Sequence, residues 1–510
     1  METRLKPQDI WQEYAHLAEY LAKNNVYEEV KRNENFYDGR QWEGVKAENM
    51  PKPVINIIQR VVKYMIATIG SSKVAVTMVP FTSAPGAYDR MKPISMEVEN
   101  VIEQARLIEK GALVIRNAAV DGSSYLWLSF DPEYETNQEM KGRIEAQVVD
   151  CTNVYFGNPY SNELQKQPYI IIALRQNIRQ VKEEARSLGL SDDEIEMISA
   201  DNDYSYANDD SSNLVTVLVK LWRKDGRIHF TKTTRNTVLI GDTNLGLRRY
   251  PLSCFGWDPR KNSYLYNSPV TPVIQNQIFI NKCYAIAQMY GLQSAFPKVV
   301  YDKNKIDIKK FLESTSPSAV AGIDMMGKFM DFIKVPDFSN NIIALVQDVI
   351  AQTRECMGVN DASLGNVSPD NTSAIIALQQ ASSVPLELQR QAYFSFWEDT
   401  VRNIIDLMAC SYGTRRVMAE DGRIATIDFD RLGDLNYQLK VDVGEGAQYS
   451  EIAQVNTLDQ LFRAGLVDPT DYVEAIPAKY IPSKGKILAS LKERQNAMQN
   501  SIQNNGNIVQ

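Results

Sequence analysis

Val270–Ala295 reads VTPVIQNQIFINKCYAIAQMYGLQSA and carries one charged residue, Lys282. Val273, Ile274, Ile278, Ile280, Ile286, Met289 and Leu292 leave too many faces apolar for a helix that shows one side to water, so neighbours should cover most of it. Gln275, Asn276, Gln277 and Asn281 interrupt the apolar residues, so the stretch is not a membrane span, and Phe296-Pro297 ends it. This helix marks a change in kind between the two halves of the chain.

The half before it mixes helices and strands. Ile10, Tyr14, Leu17 and Leu21 share one face of a helix predicted from about Pro7 to Asn33. Past Pro51 and Pro53, Ile58, Val61, Met65 and Ile69 define a second helix that stops near Gly70. Val74–Phe81 alternates like a strand until Pro85-Gly86 breaks it. Ile94, Val98, Val101, Ala105, Ile108, Ala112 and Ile115 step by alternating fours and threes. That predicts one long helix, ended by Asp121-Gly122 and packed in the core or against another subunit. Strands fit Ser124–Phe130, Arg143–Asp150, Val154–Phe156, Leu214–Arg223 and Arg227–Thr231, with a helix near Ile178–Leu188. Lys224-Asp225-Gly226 supplies a hairpin turn. Everything to about Asp258 reads as one α+β region.

Beyond Pro297 a compact strand-rich module spans Lys298–Pro336, with Gly322 and Gly327 as turn points. A helix over Asn340–Met357 returns, and Gly358–Asn371 is a polar loop between two helices; loops of such length tend to be functional. Thr372 or Ser373 caps the next helix, which runs to about Ser411 with a kink at Pro385 and a stripe of Tyr393, Trp397, Val401, Ile404 and Met408. Strands at Ile424–Phe429 and Tyr437–Val443, helices at Ser450–Ala464 and Lys484–Gln499, and a tail rich in Gln and Asn complete the chain.

The 510 residues suffice for two to four domains or one elongated subunit, and 44% apolar with 23% charged residues describes a folded chain. Bases number 55 and acids 63, a formal charge of −8, which argues against binding nucleic acid through a generic basic surface. Met1–Lys6 lacks the apolar core of a signal peptide, so a soluble cytosolic chain is expected. Five scattered cysteines without a CxxC pair suit free thiols in a reducing compartment. With only His16 and His229, neither a His-rich zinc site nor a histidine triad is expected. Gly241–Leu247 lacks the lysine of a phosphate loop and reads as a turn between strands; GxGxxG, HExxH and GxSxG are absent. No catalytic, cofactor-binding or metal-ligating residue is therefore assigned, and no cofactor is expected.

Asp192–Asp210 holds eight acids and no base, leaving the rest of the chain balanced at 55 against 55. Asp201-x-Asp203-x-Ser205 begins like a calcium loop, but Tyr206 replaces its glycine and Ser212 its closing glutamate. The segment is a solvated acidic loop or a cation site.

Several strings, in order, resemble the portal proteins of tailed bacteriophages. Asn35-x-Tyr37-x-Gly39-x-Gln41-Trp42, with Pro53-x-x-Asn56 opening the next helix, is similar to that family's N-terminal region. Val148-Val149-Asp150-x-x-Asn153-Val154-Tyr155-Phe156 resembles a strand segment of the family, although Gly157 stands where an aspartate is common. Ser268-Pro269 with Gln277-x-x-x-Asn281 looks like the start of its stem helix, and Gly358-Val359-Asn360 through Asn371-Thr372-Ser373-Ala374 like its tunnel-loop region. The resemblance covers roughly residues 30–415. The C-terminal part matches only in being helical.

The resemblance implies an α+β, elongated portal-type subunit with an α+β wing, long stem helices, a small α/β clip, a kinked long helix and a helical C-terminal crown. Residues 1–267 would form the wing, 268–295 and 339–358 the stem helices, 296–338 the clip and 359–372 the tunnel loop. Residues 373–445 would hold the long kinked helix and returning wing strands (415–445), and 446–510 the crown and Gln/Asn-rich tail. It further implies a ring of about twelve copies at one capsid vertex, assembled in the bacterial host cytoplasm. Double-stranded DNA would pass through it without sequence specificity during packaging and ejection. Partners implied are the terminase large subunit, a head-tail adaptor, and the major capsid and scaffolding proteins, with no membrane. Asn360, Asp361, Ser363, Asn366, Ser368, Asp370 and Asn371 would face the channel with two acids and no base, a composition that lets DNA slide because few phosphates are neutralised. Lys298, Lys303, Lys305, Lys309 and Lys310 would give the clip a mildly basic face for the motor, the adaptor or DNA. The alternatives are another ring-forming head or tail connector, and a metal-dependent packaging nuclease using the acidic segment.

Overall fold

The computed structural model of the chain describes residues 6–46, 50–70, 74–80, 87–136, 141–201, 213–296, 298–302, 304, 319–321, 330–333, 340–359, 384–418, 424–430, 437–443 and 455–476, with single positions between 481 and 491. Helices and sheets are mixed along it, as an α+β chain requires.

The first expected helix is two, α1 (Pro7–Lys23) and α2 (Val26–Asp38). Asn25 separates them in the left-handed conformation (φ 54°), which asparagine tolerates better than most residues, and the Asn24 side chain donates to Tyr20 O at 2.9 Å. Ile10, Tyr14, Leu17 and Leu21 are buried as their spacing predicts, and so are Ile58, Val61, Met65 and Ile69 of α3 (Ile57–Gly70). The long helix read from alternating steps is also two, α4 (Ala87–Gln104) and α5 (Leu107–Asp121), broken at Arg106 (φ 51°). The break changes the phase. Ile108 is 68% exposed, and the buried face passes to Leu107, Gly111, Val114 and Ile115. Gly111 explains the choice: a Cβ there would sit 2.5 Å from Tyr393 Oη, so only glycine lets α5 approach the later helix so closely.

A three-stranded sheet in the order β3–β2–β9 (Arg143–Asp150, Ser123–Asp131, Leu252–Gly256) packs against α5. A five-stranded antiparallel sheet runs β4 (Val154–Phe156), β5 (Tyr169–Asn177), β6 (Leu214–Lys224), β7 (Arg227–Thr233), β8 (Val238–Asn244). Asp225 and Gly226 both take positive φ in the β6–β7 turn, the backbone a two-residue hairpin favours. Gly241 and Asp242 lie in β8 itself, not in a turn, at an irregularity between its Ile240 and Thr243 pairings with β7. Helix α6 (Ile178–Ser187) and the short α7 (Asp192–Glu196) bury Val181, Ala185, Ile195 and Ile198 with Val215, Val217 and Leu239 in a small second core.

Two short strands, β10 (Asp258–Pro259) and β11 (Tyr266–Asn267), pair antiparallel, and helix α8 (Ile274–Ala295) follows after a single 3₁₀ turn. Beyond it β12 (Val299–Tyr301) pairs parallel with β13 (Ala319–Ala321) and antiparallel with β14 (Met330–Phe332), and α9 (Asn340–Cys356) returns against α8. Pro385 sits in a 3₁₀ turn, Val384–Leu386, just ahead of α10 (Glu387–Ser411). The helix expected before that proline, with its caps Thr372 and Ser373, lies outside the described residues. Tyr393, Trp397, Val401, Ile404 and Met408 of α10 are buried, and Phe255 meets Tyr393 edge-on at 5.5 Å in the aromatic centre of the main core. A hairpin of β15 (Thr414–Met418) and β16 (Ile424–Asp428) follows, then β17 (Tyr437–Val443), which pairs antiparallel with β1 (Val74–Pro80). Residues 455–463 are helical, and α11 spans Pro469–Ala475.

Candidate functional site

The last carbonyls of an α-helix have no partner within it. Two of those of α5 are taken up from elsewhere in the fold, one by the segment that leads into α8 and one by α2. Ser268 Oγ donates to Ala119 O (2.8 Å), and Asn33 Nδ2 donates to Val120 O (2.8 Å) and to Thr271 Oγ1 (2.9 Å). Thr271 in turn donates to Glu29 (2.9 Å), whose carboxylate also receives Arg260 at 3.2 and 3.0 Å. The start of α8 is thereby tied to α2 and α5.

One turn further, the string Gln277-x-x-x-Asn281 places two amides on the buried side of α8. Gln277 Oε1 accepts the Ile57 amide (3.1 Å), and its Nε2 donates to Ile55 O (2.7 Å) and Asn281 Oδ1 (3.1 Å). Asn281 Nδ2 donates to Gln41 Oε1 (2.5 Å), and Gln41 Nε2 to Phe36 O (2.9 Å). The N-terminal string supplies the other wall. Gly39 ends α2 at φ 87°, Trp42 Nε1 donates to Pro53 O (2.8 Å), and Asn56 caps α3 by accepting Gln59 N (3.0 Å) while donating to Tyr37 O (2.7 Å). Strings 220 positions apart are therefore one joint. Sequence spacing marked its residues but not their convergence. Gly157, where the string around Asp150 departs from the resemblance, has its own reason: a Cβ would meet the Tyr169 ring at 2.8 Å.

Helices α8 and α9 are pinned together by Asn276 Nδ2 donating to Thr353 Oγ1 (3.1 Å), with Thr353 fully buried. Asn276 is one of the residues that interrupt the apolar run, whereas Thr353 does not stand out in its sequence neighbourhood. Among exposed polar residues the pair also shows apolar ones: Phe279, Ile286 and Leu292 of α8 and Ile343 and Leu345 of α9 are exposed, the α8 residues by 37, 50 and 58%. Among the described residues, the fold covers only part of the helix.

Gly358 closes α9 in the left-handed region (φ 73°) and lies against Pro385 and Leu386 at the head of α10, and Val359 beside it is buried. A cavity of about 530 Å³ at this junction is lined by Ser268, Thr271, Met357, Gly358, Pro385 and Gln389, among others. The channel residues read from sequence, Asn360, Asp361, Ser363, Asn366, Ser368, Asp370 and Asn371, all lie outside the described residues, as do Lys303, Lys305, Lys309 and Lys310. Lys298 is exposed at the start of β12, and its carbonyl accepts Ile333 N at 2.9 Å.

Two acidic groups answer the question of cation chemistry differently from the sequence reading. Asp201 is not a free calcium-loop ligand: Arg175 reaches its carboxylate (2.5 Å) and its carbonyl (2.6 Å), and Thr216 N donates to it at 2.9 Å. The part of the acidic segment before it is no loop either, since Ser191 and Glu194 form a capping box on α7 and Ile195 is buried. The second group lies beside the α8 lead-in. Burial, with Glu34 and Asp150 nearby, holds the Asp121 carboxyl well above the usual carboxylate range, Arg116 pulling the other way. Asp150 is raised as well, first by burial. Among the described residues no three His, Cys, Asp or Glu side chains gather as a metal site, and no helix is long and apolar enough to cross a membrane.

A family model described as phage P22-like portal protein matches residues 15–168 and 170–504. No curated protein matches the chain significantly.

Proposed function

The chain belongs to the phage P22-like portal protein family, and from that premise we propose that about twelve copies close into a ring at one capsid vertex. Double-stranded DNA passes through the ring without sequence specificity, inward during packaging and outward during ejection. Residues 1–267 and 415–445 form the wing, α8 and α9 (268–295 and 339–358) the stem, and 296–338 the clip that meets the terminase large subunit and later the head-tail adaptor. Residues 359–372 are the tunnel loop, and 446–510 the crown, toward the major capsid and scaffolding proteins. The protein acts as a structural channel, not an enzyme.

The observation that carries this reading is the set of exposed apolar residues on the α8–α9 pair. Phe279, Ile286 and Leu292 would each be exposed to water in a monomer, whereas a ring gives every stem a neighbour on both sides. Negative-stain imaging of the purified chain tests it. Closed rings are expected, and a persistent monomer under assembly conditions overturns the assignment.

A further inference from the structure

We propose that Gln277 and Asn281 are positioning residues of the channel, fixing the rotation and axial setting of α8 against the body of the subunit. The inference rests on the portal reading and adds to it which side chains set the stem's geometry.

Apolar contact is non-directional. A helix held only by Ile274, Ile280 and Cys283 in an apolar groove can rotate or slide with little change in buried area. Hydrogen bonds are directional, and Gln277 makes two to one stretch of backbone, donating to Ile55 O and accepting from Ile57 N. Slipping α8 by one residue turns each side chain by about 100° and moves it by about 1.5 Å, which breaks both bonds at once. Asn281 repeats the check one turn later through Gln41, which lies on a separate segment. Gln277 is 0% exposed and Asn281 3%, so a misset helix leaves donors and acceptors buried without partners. A single buried amide fixes register in coiled coils by the same logic. Because Ile57 begins α3, any displacement of the stem reaches that helix directly.

Gln277→Glu is nearly isosteric; it keeps the acceptor for Ile57 but sets an oxygen against Ile55 O and Asn281 Oδ1. Gln277→Leu removes all three bonds. Hydrogen exchange at the Ile55 and Ile57 amides reads the joint in whatever oligomeric state the chain adopts. Exchange about tenfold faster at Ile57 is expected in Gln277→Leu, with Gln277→Glu protecting Ile57 better than Gln277→Leu does. The rings of both variants should show a broader spread of subunit number and stem tilt by cryo-electron microscopy. They should also lose packaged DNA faster, at melting temperatures within a few degrees of wild type. Unchanged exchange, or altered exchange with wild-type stem tilt and DNA retention, overturns the proposal. If the wild-type chain forms no rings, the portal reading fails first, and the exchange data alone decide whether the amide pair sets α8.

Discussion

Gly358 and Pro385 touch: a Cβ built on Gly358 would lie 3.1 Å from Pro385 Cβ, and Gly358 itself holds φ 73°. The end of α9 and the head of α10 therefore meet at this contact. Gly358→Ala adds an unfavourable left-handed conformation to that close approach. Chemical denaturation of the subunit is expected to show a loss of about 1–2 kcal/mol.

The exposed apolar residues of α8 make the opposite prediction. Phe279→Asp combined with Ile286→Asp changes side chains that are 37 and 50% exposed, so the melting temperature should fall by only a few degrees. Sedimentation should shift from rings to single chains. Rings of normal size would show that these residues are not the contact between copies.

Asp201 separates a structural from a metal-dependent reading. Its removal leaves Arg175, whose side chain is 14% exposed, without its carboxylate partner. Asp201→Ala is expected to cost about 3 kcal/mol of stability. Calorimetric titration with Mg²⁺ or Ca²⁺ should show no difference between variant and wild type, and neither should hydrolyse DNA or ATP. Robust intrinsic activity lost in Asp201→Ala would restore the nuclease alternative.

For Asp121 the sign follows from its raised folded-state pKa. Between the unfolded value, about 3.9, and the higher folded value the native state binds more protons than the unfolded one, so this group lowers stability as pH rises. Asp121→Asn should therefore be more stable than wild type at neutral pH, with the gap closing toward pH 4. Thermal denaturation across that range measures it. A gap that widens on acidification contradicts the assignment of Asp121 as a neutral buried acid.

Deleting Ser363–Pro369 tests the loop. Rings are expected to assemble normally, while packaging or DNA retention falls. Wild-type packaging and retention would remove this segment from the mechanism.

Helical spacing revealed Ile10, Tyr14, Leu17 and Leu21 because those residues report directly on one buried face. It failed at Ile108 and Ala112, where the pattern continued but the helix did not. The break at Arg106 accompanies the close approach of Gly111 to Tyr393 and Trp397, nearly 300 positions on, and no local signal carries that. Tyr169–Asn177 was opaque for a related reason. Ile170–Ala173 are all buried, so the strand shows no alternation to read. The joint around Gln277 was half legible: its members were visible as short strings, but only the fold shows that Gln41, Ile55, Gln277 and Asn281 are neighbours.

Val74 lies opposite Val443 and Pro80 opposite Tyr437. At roughly 5–20 residues per second of synthesis, on the order of 20–70 s separate the appearance of these two strands. During that interval the early strand is an open edge, able to recruit any other strand in reach. The β1–β17 ladder thus cannot close until residues 437–443 have been made, and one short segment must stay solitary until translation is nearly over.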